Sequence, residues 1–379
     1  IGLLCGANNI QFPVKILATF SGLFGNFLSF IIPLIIVGFI VPGIASLGSK
    51  SGKGLLITTI VAYLSTLLAG FAAYLIGAGI LPKLISGSIA LSEEGQTIEP
   101  YFTIEIPAIM GVMSALTLAF ILGIGLSKIK NSAMLKVVDE FNKIVLMIVT
   151  NVLIPLVPIY IGCVFAKLSY SGEIFNTLKS FGIVYILLFS LQLAYILIQY
   201  CIAGAIKKEN PFKLIKNMIP AYMTAVGTQS SAATIPVTLE CVKKNNISEE
   251  VLDFVVPLGA TIHLAGDTIT LVLTSMAVMY MNGQTPTFGM IMPFIFMLGV
   301  TMIAAPGVPG GGVMAALGLL ESMLGFGAIE KPIMIALHAA QDSFGTATNV
   351  TGDGAIAILV DYIINKKKGN SISKEDKVI

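Results

Sequence analysis

Long stretches without a charged side chain occupy most of the first half of this sequence. Each of them is long enough to cross a hydrocarbon layer, which requires about 20 apolar residues in a helix. They cover residues 16–49, 54–82, 106–127, 144–166 and 180–206. Over the whole chain 56% of residues are apolar and 11% are charged, against about a quarter charged in a soluble domain. These runs predict an all-α polytopic membrane protein.

Lysine clusters between the apolar runs predict the membrane topology. By the positive-inside rule, the clusters around Lys50, Lys130, Lys207, Lys243 and Lys367 mark cytoplasmic loops and a cytoplasmic tail at 366–379. The glutamate-rich stretch 81–107 is then an external loop. The net charge of +2 is too small to indicate a nucleic-acid partner. We expect a multi-pass protein in contact with lipid, in a plasma membrane or a bacterial inner membrane, with a further amino-terminal segment because the sequence does not begin with Met.

The segment 211–244 does not have the pattern of a single membrane-spanning helix. Lysine clusters of the same sign precede and follow it, so it must enter and return on one side. Its middle, 227–236, is too polar for a lipid-facing helix and contains Pro236. Irregular backbone at membrane depth persists only where protein or a wet cavity covers it. We therefore predict a re-entrant helical hairpin with its tip at 229–234.

A second break lies at 304–312, inside the apolar stretch 290–326. This segment contains Pro306, Pro309 and four glycines, which excludes a continuous helix. If an unbroken helix at 252–280 runs outward between the two segments, the second hairpin enters from the opposite side. Two opposed re-entrant hairpins form an inverted repeat, an arrangement that places a transport site at the membrane midplane.

A polar stripe runs along the last predicted helix. Asp342, Thr346, Asn349 and Asp353 follow at spacings of four, three and four, which puts all four on one face. A carboxylate near the bilayer centre costs roughly 2.5 to 3.5 kcal/mol, so each one needs a partner or a function. Oxygen donors of this kind suit sodium or a substrate ammonium group.

Four ordered motifs between 211 and 361 resemble the glutamate transporter family, the dicarboxylate/amino acid:cation symporters. The segment 342–353, DSFGTATNVTGD, resembles the family's last-helix signature. The segments 230–238 and 257–262 resemble its first hairpin tip and the following helix, and 307–310 its second hairpin tip. Residues 1–206 agree with the family only in span number and charge pattern.

The resemblance implies a role for each matching residue of a substrate pocket. Asp342 would hold the substrate amino group, Val308 would close over the substrate, and Asn349, Ser230 and Ser231 would hold the α-carboxylate. The pocket would further include Asp267, Gly345 and Thr346. The cargo would be taken up with sodium, and two sodium sites are implied. The first comprises Asp353 with carbonyl groups of Gly259, His263 and Asn349, and the second the carbonyl of Thr261 with backbone near Ile303 and Ala305.

The resemblance also implies a homotrimer that works as an elevator. Residues 1–206 would form mainly the scaffold and trimerisation helices, with parts of the moving transport domain at 54–82 and 180–206. Residues 207–365 would form the core of that domain, with hairpins at about 211–244 and 290–326.

Departures from the family pattern narrow the substrate. Members that carry acidic amino acids have Arg at the position of Gly345, and some have it at Gln229, but this chain contains no Arg at all. A side-chain carboxylate would lack its bidentate partner and would be repelled by Asp267. We therefore predict a small neutral substrate such as serine, threonine, alanine or cysteine. A third sodium site is either lost at Ala265 or taken over by Asp267.

Three alternatives remain open at this stage. Asp267 beside Gly345 is compatible with a cationic substrate, and His263 and His338 are compatible with coupling to protons. A membrane-embedded hydrolase would use Asp342 with Asp353, or Ser230 with His263, although no catalytic motif supports it. A channel is disfavoured because two hairpins surround one site and no filter sequence occurs. The leading hypothesis is a transporter, not an enzyme.

Overall fold

The computed structural model describes residues 11–49, 53–85, 98–129, 132–170 and 174–375. These residues form helices and connecting loops, with no strand among them, which confirms the predicted all-α class. Part of the predicted external loop, the amino-terminal residues 1–10 and the last residues of the predicted tail lie outside the described residues.

Thirteen α-helices are numbered here in chain order within the described ranges. They are α1 Gln11–Ser49, α2 Lys53–Leu84, α3 Val112–Lys128, α4 Ala133–Ile148, α5 Ile154–Tyr170, α6 Ile174–Lys207, α7 Pro211–Thr228, α8 Ser231–Lys243, α9 Glu249–Ile262, α10 Ala265–Met281, α11 Phe288–Ala304, α12 Gly311–Leu324 and α13 Glu330–Glu375. A π-helical turn, Val149–Leu153, joins α4 to α5. Six helical segments of the described chain are long and apolar enough to cross a membrane, as the prediction of a multi-pass protein requires.

Helix packing divides the described chain into two groups. Helix α1 packs on α3, α4 and α5, whereas α13 packs on α6, α7, α8, α9 and α10. Helix α2 belongs with the second group, because it packs most extensively on α10. The groups meet where α11 and α12 pack on α1 and where α13 packs on α5. One contact at this boundary is close: a Cβ atom added to Gly43 of α1 would lie 2.9 Å from the Cβ of Ala304.

Helices α7 and α8 form the predicted helix–turn–helix and pack side by side. Asn210 caps α7 by accepting a hydrogen bond from the N–H of Phe212, and Pro211 occupies the first turn, where no N–H is needed. Gln229 ends α7 in a left-handed conformation with φ 52°. The turn is shorter than predicted, because Ser230 caps α8 and residues 231–234 already belong to that helix.

Helices α11 and α12 form the second helix pair. The break between them covers 305–310 and contains Pro306, Gly307, Pro309 and Gly310. Gly310 has a positive φ of 71°. A Cβ atom at Gly311 would lie 2.3 Å from the carbonyl oxygen of Pro306, so only glycine allows the chain to close this turn.

The expectation of one unbroken helix over 252–280 is wrong. Helix α9 ends at Ile262 and α10 begins at Ala265, with His263 and Leu264 in non-helical conformations. The break is stabilised from α13, because the side-chain oxygen of Asn349 accepts a 2.7 Å hydrogen bond from the N–H of Gly266. A free backbone N–H at the start of α10 is thereby satisfied. The helix α13 also continues to Glu375, into the segment predicted as a tail.

Candidate functional site

Three interruptions of helical backbone meet around one cavity. These are the turn between α7 and α8, the break between α9 and α10, and the break between α11 and α12. The cavity is small and closely lined in this conformation. Its lining consists of Gln229, Ser231, Leu264, Asp267, Pro306, Gly307, Val308, Gly312, Asp342, Thr346 and Asn349. Six of the eight residues predicted for the substrate pocket therefore line one chamber: Ser231, Asp267, Val308, Asp342, Thr346 and Asn349.

The polar stripe of α13 faces the protein interior, as its spacing predicted. Asp342, Thr346, Asn349 and Asp353 are each at most 5% exposed. The first three line the cavity, whereas Asp353 lies one turn beyond it. The stripe therefore contributes side chains to two adjacent places, the cavity and the surroundings of Asp353.

Asp342 presents a buried carboxylate to the cavity. Its Oδ2 accepts a 2.7 Å hydrogen bond from the N–H of Gly310 at the tip between α11 and α12. Its Oδ1 accepts only a long hydrogen bond, of 3.5 Å, from the hydroxyl of Thr346. This second oxygen is weakly engaged by the protein, so the carboxylate is suited to receive an ammonium group.

The two tips close the cavity by direct contact. The hydroxyl of Ser230 donates a 2.7 Å hydrogen bond to the carbonyl of Gly307 and accepts one from the N–H of Ala233. Ser230 therefore joins the tips but does not line the cavity, whereas Ser231 and Val308 do. Helices α8 and α12 both begin at these tips, so their positive ends and free N–H groups lie beside the chamber.

Asp267 is held by two partners. Its Oδ1 lies 2.6 Å from Nε2 of His338, and its Oδ2 accepts a 2.6 Å hydrogen bond from the side-chain amide of Asn349. Nδ1 of His338 has no hydrogen-bond partner among the described residues and lies 4.0 Å from Oδ1 of Asp342. The imidazole thus stands between two carboxylates of the same chamber.

A second polar centre surrounds Asp353. Its Oδ1 lies 2.9 Å from Nδ1 of His263, whose Nε2 lies 3.0 Å from the hydroxyl of Ser65. Its Oδ2 is buried without a hydrogen-bond partner among the described residues. Gly259 allows this packing, because a Cβ atom there would lie 2.7 Å from Asp353 Oδ1. An unpartnered carboxylate oxygen at this depth is a suitable ligand for sodium.

The remaining predicted residues lie around these centres. Thr261 lies in the last turn of α9, and its hydroxyl donates to the carbonyl of Leu258. Ile303 lies in the last turn of α11, which packs on α9, and Ala305 caps that helix. Gly345 does not line the cavity. A Cβ atom there would lie 3.3 Å from the amide of Gln341.

The geometry does not support the hydrolase alternative. Ser230 is bonded to the carbonyl of Gly307, and His263 is bonded to Asp353 and Ser65, so the serine and the histidine do not form a nucleophile–base pair.

Sequence reasoning missed the polar residues that α2 and α6 contribute. The hydroxyl of Tyr195 donates to the carbonyl of Ser65, and the amide of Gln199 donates to the Ser65 hydroxyl. Gln192 donates to the side chains of Gln341 and Thr270. A signal was present, because Gln192, Tyr195 and Gln199 share one face of a helix in an otherwise uncharged run.

Comparison with known proteins identifies what this chain is similar to. The profile of the sodium:dicarboxylate symporter family matches residues 1–363. Excitatory amino acid transporter 1 of Ambystoma tigrinum is 30% identical over 182 residues, covering 46% of this chain and 33% of that protein. Human neutral amino acid transporter A is 29% identical over 174 residues, covering 45% and 32%. Human excitatory amino acid transporter 5 is 32% identical over 162 residues, covering 42% and 29%. The matches thus span about a third of the length of these relatives.

Proposed function

Since the chain belongs to the sodium:dicarboxylate symporter family, a family of transporters and not of enzymes, we propose that it carries a small neutral amino acid across the membrane together with sodium. The observation that carries this proposal is the chamber between the two tips, where a weakly engaged Asp342 carboxylate faces the beginnings of two helices. A carboxylate and a pair of helix N-termini are complementary to the two charges of an amino acid zwitterion.

The substrate ammonium binds Asp342, assisted by Thr346. The α-carboxylate binds the N–H groups at the start of α8, the hydroxyl of Ser231 and the amide of Asn349. Val308 and the Ser230–Gly307 hydrogen bond close the chamber over the bound substrate. Each of these residues lies in the lining or joins the tips.

The substrate side chain is small and uncharged. An acidic side chain would meet Asp267 in the lining, and no Lys is among the described residues that line the chamber of this chain, which contains no Arg. The narrow chamber between the two tips favours a short side chain of the serine, alanine, threonine or cysteine class. The relatives include transporters named for excitatory and for neutral amino acids. Family membership alone therefore does not determine which class of amino acid this chain carries.

Sodium is the co-transported ion. The unpartnered Oδ2 of Asp353 is the proposed ligand for one ion, together with the carbonyl groups of Gly259, His263 and Asn349 that the family resemblance implies. Carbonyl groups at Thr261, Ile303 and Ala305 provide the second site, where α9 packs on α11. Asn349 belongs both to the first proposed site and to the chamber lining, and Ala305 precedes the second tip, so we expect ion binding and closure of that tip to be coupled.

Transport proceeds by movement of one helix group against the other in a homotrimer. The group formed by α1, α3, α4 and α5 is the scaffold, and the group packed around α13 carries the substrate. The boundary passes between α1 and the α11–α12 pair, where Gly43 meets Ala304 closely. Small side chains at this point of the boundary let the two helices approach closely.

A cationic substrate is the second candidate, because Asp267 and Asp342 both line the chamber. Two carboxylates could accept the two ammonium groups of a basic amino acid. The same uptake experiment separates the candidates.

Purified protein in liposomes tests the proposal. Labelled serine, alanine, threonine, aspartate and lysine are offered with an inward sodium gradient, or with an inward proton gradient in sodium-free buffer. We expect serine-class uptake driven by sodium. Uptake of aspartate or lysine alone, or uptake that is indifferent to sodium, would overturn the proposal.

A further inference from the structure

His338 lies beside Asp267 and Asp342, the two carboxylates that line the proposed substrate chamber. The residue is 1% exposed and stands on α13 one turn before Asp342. Its Nε2 lies 2.6 Å from Asp267 Oδ1. Because a carboxylate accepts and cannot donate, the imidazole is the donor in this contact. In the described part of the chain, His338 is the basic side chain paired with Asp267 and Asp342, and no Lys forms an ion pair with either carboxylate.

The contact leaves Asp267 with both oxygens in use. Oδ1 accepts from His338, and Oδ2 accepts a 2.6 Å hydrogen bond from Asn349. Asp342 differs, since its Oδ1 has only a 3.5 Å contact with Thr346. Of the two carboxylates in the lining, one is therefore available to an incoming ammonium group and the other is engaged by the protein.

Each Asp267 oxygen still has a second lone pair, but an ammonium group that binds there must share an oxygen that already accepts a short hydrogen bond, and it competes with that donor. Displacing His338 would leave a buried imidazole without a partner on either nitrogen, because its Nδ1 already has none. Leaving a buried donor unsatisfied costs most of the gain from a new charged contact. The pocket thus rejects a second ammonium group although it contains two carboxylates.

We propose that His338 is the positioning residue that makes this transporter select neutral over cationic amino acids, by keeping Asp267 hydrogen-bonded and unavailable to the substrate side chain. The inference rests on the proposed function and adds its specificity determinant. His338 acts through Asp267, because it is absent from the residues that line the cavity.

Two isosteric probes test the idea in liposomes. Homoserine and 2,4-diaminobutyrate have the same chain length, but the second has an ammonium group in place of the hydroxyl. We expect His338→Leu to raise 2,4-diaminobutyrate uptake relative to homoserine by about tenfold or more, because Asp267 regains a free oxygen. His338→Gln is the matched control, since the glutamine amide nitrogen takes the place of Nε2 and preserves the wild-type ratio.

The double variant His338→Leu/Asp267→Asn should lose the gained uptake, because the receiving charge is gone. If His338→Leu does not fold, His338→Asn replaces it, since its shorter amide does not reach Asp267. Wild-type homoserine uptake with no gain of 2,4-diaminobutyrate uptake in the folded variant would overturn the inference and leave the proposed function intact. Absence of any neutral amino acid uptake by wild type would instead overturn the proposed function.

Discussion

The hydroxyl of Ser230 donates a 2.7 Å hydrogen bond to the carbonyl oxygen of Gly307, and this bond joins the two helix tips that enclose the chamber. The same hydroxyl accepts from the N–H of Ala233 and so caps α8. One side chain therefore stabilises the start of a helix and the contact between two segments that lie 77 positions apart in the sequence. Opening of the second tip requires this bond to break.

Replacing Ser230 with Ala should weaken closure of the tips. Loss of the cap costs about 1 kcal/mol of stability, and loss of the tip contact should raise the Kd for serine about fivefold. Ser230→Thr retains the hydroxyl and should bind serine like the wild type. Calorimetric titration of both purified variants measures the difference. An unchanged Kd in Ser230→Ala would mean that the tips are held closed by other contacts.

Replacing Asp342 with Asn should abolish amino acid binding without unfolding the protein. The amide oxygen can still accept from the N–H of Gly310, but the charge that receives the substrate ammonium is removed. We expect serine affinity to fall at least about thirtyfold, as when one partner of a buried charged pair is truncated. Binding is measured by titration, and size-exclusion chromatography checks the assembly. Serine transport at the wild-type rate would exclude Asp342 from the substrate site.

Replacing Gly345 with Arg should shift the preference toward aspartate. A side chain there starts 3.3 Å from the amide of Gln341, so Gln341 must move slightly to admit it. The guanidinium would then supply the bidentate partner that a substrate side-chain carboxylate lacks in this chain. We expect the aspartate-to-serine uptake ratio to rise about tenfold or more. Gly345→Gln, which also ends in a planar N–H donor group but is shorter and uncharged, should leave the ratio low.

An equal rise in Gly345→Gln would show that pocket shape and not charge controls the choice. No rise in either variant would mean that the side chain at this position does not reach the substrate.

The polar stripe on α13 and both helix pairs were predictable because their signals are local. Asp342 and Asn349 lie on one face through helical spacing alone, and Pro306 and Pro309 exclude a continuous helix wherever they occur. Membership of the family was predictable for the same reason, since the motif over 342–353 is contiguous.

The break between α9 and α10 was not predictable because its stabilisation is distant. The N–H of Gly266 is satisfied by Asn349, 83 positions later in the sequence, and nothing in 252–280 itself requires an interruption at His263. The Ser65 contacts to His263 and Tyr195 were missed in the same way, since they join helices far apart in sequence. Local patterns therefore indicated which residues act, whereas nonlocal hydrogen bonds determine how they are arranged.

A disulfide between Gly43→Cys and Ala304→Cys should stop transport if the two helix groups slide past one another. Their Cβ positions are about an ångström closer than the mean of about 3.8 Å in disulfides, so a small backbone shift allows the bond. In a background without the native cysteines, oxidation should abolish uptake and reduction should restore it. Each single-cysteine variant is the control. Full uptake by the oxidised protein would contradict movement at this boundary.

Replacing Asp353 with Asn should reduce sodium affinity while leaving the fold intact. The amide oxygen can still accept from Nδ1 of His263, so the contact that holds the histidine survives, whereas the unpartnered Oδ2 becomes an amide nitrogen that repels a cation. We expect the sodium concentration for half-maximal serine uptake to rise about tenfold or more. Asp361→Asn is the matched control, because that carboxylate accepts from Ser248 outside the chamber and should not change sodium dependence. Equal effects of the two variants would show that Asp353 is not a sodium ligand. Loss of sodium activation in Asp353→Asn alone would identify the unpartnered oxygen of Asp353 as the ligand.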